Sequence, residues 1–344
     1  MKIAMVSNPY VDVPPEKYGG IEQIVYLLTE GLNKRGHNVH LYATGKSKSA
    51  GKLKYLYENA VWPIDYRVGA DHYSFAFEDI LKQGDFDIIH CHDALALPFT
   101  RFVKNIPCVH TIHHVRDGSI STIYKNFQNI HYITISDYQK QKEILLRNVK
   151  TIYHGLDIKN FIPNLHPKNY LAFLGRISKI KGLHNAITVA KKSGKELFIG
   201  GPVHWVDEKY FNEEIKPSID NSQIKHLGDL DLKEKVCLLR NALATLFLIE
   251  WNEPFGLVMV ESMMCGTPVI AFPKGSVNEI IEYGITGFIV NSLEEAVNLI
   301  KSDKLKDFDR KRCAERARDR FSHDRFISEH EQYYEEVVKA VCTH

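Results

Sequence analysis

The sequence predicts an α/β protein made of two successive halves, each built on a parallel β-sheet. Three observations point there. Short apolar runs alternate with amphipathic runs along the chain, the rhythm of βαβ units. The apolar runs carry few charges in their interiors, as strands covered on both faces should. Finally, 344 residues are too many for one ordinary domain and enough for two, each able to bury a core unaided.

In the first half, Ile3–Val6, Val39–Ala43, Asp87–Cys91, Cys108–Ile112, Tyr132–Ile135 and Lys150–Tyr153 read as strands. Between the first two, Ile21–Arg35 places Ile21, Ile24, Val25, Leu28 and Leu32 on one helical face. Ser136 is the expected N-cap of a helix containing Tyr138–Leu146. The rhythm pauses over Asp157–Asn169, which has two prolines, three asparagines and little periodicity, and reads as an interdomain linker. It restarts with Tyr170–Leu174, Leu197–Ile199, Ile224–Leu227, Ala244–Ile249, Pro268–Phe272 and Phe288–Val290, each followed by a helical segment. After Asp307 the chain is charge-rich and helical to its end. Two Rossmann-like halves are the simplest account, with domains expected over residues 1–160 and 168–322.

Charge and composition exclude several classes. Forty-four Lys+Arg against 42 Asp+Glu leave a net charge of +2, too balanced for a dedicated nucleic-acid binder. No run approaches the 18 or so apolar residues of a membrane span, and the opening strand runs into a polar loop rather than forming a signal peptide. Cys91, Cys108, Cys237, Cys265, Cys313 and Cys342 are scattered, so free thiols in a reducing cytoplasm are expected. No G-x-G-x-x-G follows a strand, which leaves hydride transfer with a nicotinamide without its phosphate turn. Gly45-Lys46-Ser47 imitates the end of a P-loop, but the upstream glycine position holds His40. With no H-E-x-x-H and no C-x-x-C, neither a metal site nor a bound cofactor is expected.

Three segments carry chemistry. Gly19-Gly20-Ile21-Glu22 joins the first strand to the first helix, where glycines admit a phosphate to the helix end; a plain tight turn reads equally well. Arg176 and Lys181, in Gly175–Gly182, follow the first strand of the second half and form an anion clamp or, more blandly, solvated loop bases. The run Glu250–Ile270 is the most informative. Its strand delivers Glu253 to the sheet's C-terminal edge, where α/β folds bind ligands. Pro254 suits the first turn of the next helix, leaving the amides of Phe255, Gly256, Leu257 and Val258 for phosphate or sugar oxygens. Glu261 lies about two turns into that helix in apolar company. A carboxylate there needs a partner, which a pair of ribose hydroxyls would supply; helix packing with a local hydrogen bond is the alternative.

The pattern E-P-F-G-L-x-x-x-E-x-M-x-x-G-T-P-V-I, with G-R-x-x-x-x-K-G upstream, resembles the retaining glycosyltransferases of family 4, which have the GT-B fold. Also similar to that family are Pro14 to Glu22, Arg35-Gly36-His37, Tyr153 to Asp157, Gly228-Asp229 and Gly284 to Val290, so the resemblance covers nearly the whole chain. It implies that Arg176 and Lys181 hold a donor diphosphate, with Gly19 and Gly20 facing it from the first domain. Glu253 would hydrogen-bond the transferred sugar, helped by the amides of Phe255–Val258, and Glu261 would hold the nucleotide ribose. It also implies a C-terminal helix, within residues 323–344, that crosses back onto the first domain. Two positions depart from the family pattern: His154 stands where Asn is frequent, and Gly275-Ser276 has lost one glycine of a Gly-Gly pair.

Histidines are concentrated early: ten of 17 lie at or before His154. His113, in Thr111-Ile112-His113, resembles a family histidine near the reacting centre and is the first choice for a catalytic role. His110 and His114 flank it. His90 and His92 end the preceding strand, and two ring residues at i and i+2 without a third ligand argue against zinc; cleft lining or core packing is the expectation. With an ordinary pKa near 6.5, each could titrate in the cleft.

The expected reaction is retaining, metal-independent transfer of a hexosyl group. It would run from a UDP- or GDP-linked sugar to a saccharide, lipid-linked or small-molecule acceptor. The catalytic set is His113, Glu253, Arg176 and Lys181, working in a closing cleft with the donor mainly on the second domain. A nucleotide-sugar epimerase and a non-catalytic nucleotide-sugar-binding protein are the rivals. Lys46, Lys48, Lys52 and Lys54 lie in Gly45–Lys54, a stretch without an acid: a solvated loop, or a contact with a phosphorylated acceptor or, weakly, with an anionic lipid at the inner face of the membrane.

Overall fold

The computed structural model describes residues 1–17 and 19–342, with the side chains of 341 and 342 left out. Tyr18 of the resemblance motif, the thiol of Cys342 and the last two residues of the expected 323–344 helix therefore lie outside the described residues. The chain divides into two compact units: Met1–Leu156 with the C-terminal helix from His323, and Asp157–Ser322.

The first unit is a seven-stranded sheet in the order β3-β2-β1-β4-β5-β6-β7, every pair parallel. Its strands are β1 (Lys2–Val6), β2 (Asn38–Tyr42), β3 (Lys52–Lys54), β4 (Ile88–Cys91), β5 (Cys108–Ile112), β6 (His131–Thr134) and β7 (Val149–Thr151). Helices α1 (Gly20–Lys34), α2 (Tyr66–Gln83), α3 (Gly118–Lys125) and α4 (Asp137–Lys142) lie in the crossovers, and a 3₁₀ segment, Ala94–Phe102, connects β4 to β5. The apolar stripe expected on α1 is buried at Ile24, Val25, Leu28 and Leu32, while Ile21 is only half-buried. Strands β1, β4 and β5 are buried along nearly their whole length, which is why uninterrupted apolar runs marked them.

Two sequence expectations are corrected here. Ser136 does cap α4, accepting from the Gln139 amide at 3.0 Å, but the helix stops at Lys142, not Leu146. Buried Glu143 ends it: its carboxylate accepts from Ser121 Oγ at 2.6 Å and from the Ile144 amide at 2.8 Å, leaving Glu143 extended. The Gly45–Lys54 stretch is not a free solvated loop. Ser47 is buried and accepts from the Val13 amide at 2.9 Å, and Lys52–Lys54 form the edge strand β3 beside β2. Lysines on an exposed edge discourage further strand pairing, and Lys54 also pairs with Asp79 at 3.4 Å.

The last helix, α12 (His323–Cys342), packs on α1 in this unit. A β-carbon at Gly31 would overlap Ile327, so the two helices meet at a glycine. His323 Nε2 donates to the Leu27 carbonyl at 2.8 Å, and Arg325 donates to the Tyr153 carbonyl at 2.6 Å. Arg35 and His37 both reach Glu331 at 2.8 Å. The Arg35-Gly36-His37 motif thus has a structural role, fastening the end of α1 to α12.

The second unit is a six-stranded parallel sheet in the order β10-β9-β8-β11-β12-β13. It comprises β8 (Tyr170–Leu174), β9 (Glu196–Gly200), β10 (Ile224–His226), β11 (Ala244–Phe247), β12 (Val269–Ala271) and β13 (Gly287–Ile289). Its helices are α5 (Leu183–Ser193), α6 (Glu208–Tyr210), α7 (Leu232–Asn241), α8 (Leu257–Met264), α9 (Val277–Ile280), α10 (Leu293–Lys301) and α11 (Arg310–Phe321). Residues 157–169 contain only the short turn Ile158–Asn160, yet they are fixed to this unit. Buried Arg310 donates to the carbonyls of Asn164 (2.6 Å), Arg240 (2.8 Å) and Ala242 (3.0 Å), and Arg318 donates to that of Phe161 at 2.9 Å.

Candidate active site

In both sheets the strand order reverses next to the first strand, between β1 and β4 and between β8 and β11. Adjacent loops leave in opposite directions at such a point and open a crevice at the strands' carboxyl ends. The candidate residues gather there.

In the second unit, the Gly175–Gly182 loop follows β8 and the Glu250–Gly256 loop follows β11. Lys181 Nζ lies 2.6 Å from Glu253 Oε2, and both side chains are largely buried. Trp251 completes the group: its indole N–H donates to the same carboxylate oxygen at 3.0 Å, and Lys181 Nζ sits 4.4 Å from its ring centre. A cation, a carboxylate and an aromatic face are thereby held together at the carboxyl ends of two neighbouring strands. Arg176 turns its Nε toward Asp207 Oδ2 at 3.6 Å. The structure thus joins Lys181 to Glu253 directly and sets Arg176 on a different carboxylate.

The Glu253 loop is shaped by the position that departs from the family pattern. Gly275 has φ 66°, and a β-carbon there would overlap the backbone of Glu253. Ser276 follows, its amide donating to the Glu253 carbonyl at 2.9 Å and its hydroxyl to the Phe255 carbonyl at 2.9 Å. The serine that replaces a glycine is therefore a clamp on the loop. Three loops at the ends of β8, β9 and β10 also meet through glycine: Gly175 N–H bonds the Gly200 carbonyl, and Gly201 N–H bonds that of Gly228.

Pro254 does not occupy the first turn of α8, contrary to the sequence reading. The helix begins at Leu257, with Gly256 as a left-handed N-cap at φ 86°, so Pro254 and Phe255 belong to the preceding loop. A proline-first start would leave no room for the left-handed glycine turn. The amides of Leu257 and Val258 remain helix-end donors without intrahelical acceptors. Phe255 is a core residue, edge-on to Phe321 at 5.9 Å. Glu261 is buried as expected, but its partner is in the protein: Lys235 Nζ lies 3.5 Å from Oε1.

In the first unit, Gly19 and Gly20 open α1. A β-carbon at Gly19 would crowd Pro15, so the tight-turn reading explains that glycine by packing alone. Buried Glu22 accepts from Asn8 Nδ2 at 2.7 Å, and burial holds its carboxyl above the usual range.

The histidines form one assembly at the ends of β4 and β5. His92 Nδ1 is 2.9 Å from His113 Nε2, and the rings of His113 and His154 stack at 5.5 Å. His90 Nδ1 meets the Tyr334 hydroxyl at 2.5 Å and Nε2 meets the Thr111 hydroxyl at 2.7 Å. His330 of α12 stands 5.9 Å from the His90 ring. His110 and His114 share the Tyr124 hydroxyl, at 3.3 and 3.0 Å. The expectation of titration near pH 6.5 is corrected for His90, His92, His110 and His113. Burial first, then repulsion from neighbouring rings, holds His90, His92 and His113 well below that value. Burial pushes His110 and His154 down to about 3 and His330 to about 4. They are neutral at physiological pH. Of the candidates, His90 and His110 are core residues, whereas His113 keeps partial exposure. Among the described residues, no three His, Cys, Asp or Glu side chains converge as metal ligands.

Sequence reading missed Asp207, Lys235, Trp251 and His330. Trp251 adjoins the Glu253 motif and could have been found by its place. The other three meet their partners only through tertiary packing and leave no local signal.

Two family models match the chain. The model for glycosyl transferases group 1 covers residues 157–320, and that for glycosyltransferase family 4 covers residues 18–160. The phosphatidyl-myo-inositol mannosyltransferase of Mycobacterium tuberculosis is 25% identical, over 84% of this chain and 82% of that protein. Among solved structures, the sucrose-phosphate synthase of Thermosynechococcus elongatus superposes with a TM-score of 0.83 at 18% identity, covering 98% of this chain and 99% of that one. The HepE protein of Anabaena, solved with UDP and glucose, gives 0.76 at 17% identity, covering 97% and 99%. These likenesses show the GT-B fold.

Proposed function

The chain belongs to the group 1 glycosyltransferases, and from that membership we propose that it moves a hexosyl group from a UDP- or GDP-linked sugar to a hydroxyl acceptor, with retention and without a metal ion. The Lys181–Glu253–Trp251 group at the switch point of the second sheet carries this reading. Breaking the bond between the anomeric carbon and the diphosphate oxygen leaves negative charge on the diphosphate. Once the donor is bound, Lys181, Arg176 and the Leu257 and Val258 amides supply the opposing charge and dipoles. As Lys181 turns to the diphosphate, Glu253 is released to accept from a hydroxyl of the transferred sugar. Glu261 takes the ribose hydroxyls, with Lys235 beside it, and His113 contacts substrate near the reacting carbon. The acceptor oxygen forms the new bond on the face the leaving group vacates, and its proton passes to the departing phosphate. Glu253 is not assigned as a covalent nucleophile.

The anionic donor fits the basic groups and the glycine-lined strand ends. HepE, a structural neighbour, was solved with UDP and glucose, which favours a UDP-linked donor here. The mycobacterial relative acts on phosphatidyl-myo-inositol, which favours a lipid-linked acceptor among the acceptor classes. No helix among the described residues is long and apolar enough to cross a membrane. We place the reaction in the cytoplasm, with Lys46, Lys48 and Lys52 available for weak contact with anionic headgroups.

The test is to incubate the purified protein with UDP- and GDP-sugars, with and without a panel of acceptors, and follow nucleoside diphosphate. Acceptor-dependent release is the expected result. A rearranged sugar released without acceptor would identify an epimerase, and tight donor binding without release would identify a binding protein.

A further inference from the structure

Strands β1 and β4 run side by side at the switch point of the first sheet, which sets Met5 against the residues that end β4. His92 Nε2 lies 3.1 Å from the Met5 sulfur, and His92 Nδ1 lies 2.9 Å from His113 Nε2. Met5 and His92 are both buried. These contacts determine where the protons are. A thioether has no proton to give and can only accept, so His92 must carry its proton on Nε2. Burial and the facing rings of His90, His113, His330 and His110 keep a second proton off His92. Its Nδ1 is therefore a lone pair, and His113 Nε2 must be the donor in the bond between the two rings. His113, held neutral by the same environment, then has its own lone pair on Nδ1. That atom has no partner among the described residues, and the ring is partly exposed and stacked on His154.

We propose that Met5 and His92 are positioning residues that lock His113 in the Nε2–H tautomer, so that its Nδ1 faces substrate as a hydrogen-bond acceptor for a sugar hydroxyl. His113 then neither protonates a leaving group nor donates to the diphosphate. The inference rests on the assignment of His113 to the substrate site, and its test separates the two claims.

Long-range proton–nitrogen NMR on the full chain with ¹⁵N-labelled histidine reads the tautomers directly, the two rings being assigned from single substitutions. Both His92 and His113 should show Nε2–H and a bare Nδ1; an Nδ1–H on His113 overturns the lock. Met5→Leu conserves core volume but removes the acceptor. It should let His92 turn to its other tautomer, mix the His113 states and lower kcat/KM about fivefold or more while the melting temperature holds. His92→Leu should lower kcat/KM about tenfold or more, and His92→Asn, which keeps an acceptor near the Nδ1 position, should recover most of the loss. Equal defects in the two would overturn the positioning role. If the tautomers are as stated but His113→Ala leaves kcat/KM at the wild-type value, the lock stands and the substrate assignment of His113 fails.

Discussion

Replacing Lys181 with methionine perturbs two things that the structure allows to be separated. Lys181 Nζ is 2.6 Å from Glu253 Oε2, with side chains only 20% and 10% exposed, so the substitution strands a buried carboxylate that keeps one indole N–H. Breaking such a pair costs about 3–5 kcal/mol of stability while the carboxylate stays charged. The second effect is on the reaction. A missing cation at the leaving diphosphate should lower kcat by about 10²–10³-fold, by comparison with the loss of one preorganised donor to a developing anion. Glu253→Gln removes the stranded charge, so the double variant should melt close to the wild type. Thermal melts and initial rates of diphosphate release would be measured for Lys181→Met, Glu253→Gln and the pair. The double variant should regain stability without regaining turnover. A Lys181→Met enzyme within about threefold of wild-type kcat would refute the assignment of Lys181 to the diphosphate.

Other outcomes follow from the same structure. Gly275→Ala places a β-carbon against the Glu253 backbone at φ 66°, so it should displace that loop and cut diphosphate release about 100-fold, measured beside a melt that confirms folding. Gly31→Ala drives a methyl into Ile327 and should cost about 1–3 kcal/mol, read as a lowered melting temperature that Ile327→Ala partly restores. Acid should destabilise the first unit early. His330 is held at about 4 when folded and returns toward 6.5 when unfolded, so the unfolded chain binds the extra proton. Its contribution is complete above pH 6.5 and falls by about 1.4 kcal/mol per pH unit from there down to about 4. Urea melts of the wild type and His330→Gln at pH 7 and 5 should show the smaller pH dependence in the variant.

Much of the fold was legible because both sheets are covered on both faces. Strands such as β5 and β8 are buried throughout and appear as unbroken apolar runs. The three-residue edge strand β3 was invisible for the opposite reason: Lys52 and Lys54 flank a single Leu53, and an exposed edge selects lysine rather than apolar residues. Lys181 and Glu253, 72 positions apart, were each found because loops at neighbouring strand ends place them, and the topology then brought them together. Their surroundings were not legible. Asp207 beside Arg176, Lys235 beside Glu261 and His330 beside His90 come from elements whose local pattern says only amphipathic helix or turn. The neutrality of His90, His92, His110 and His113 was not legible either, because spacing in sequence carries no measure of burial.

The proposed reaction is charge-stabilised transfer from a nucleoside diphosphate sugar with retention and no metal ion. It is tested most directly by NMR of the product formed in excess EDTA from a donor of known anomeric configuration. The expected product is a glycoside with the donor's own configuration, formed at the rate seen without chelator. An inverted product, or transfer that appears only when a divalent ion is restored, would contradict it.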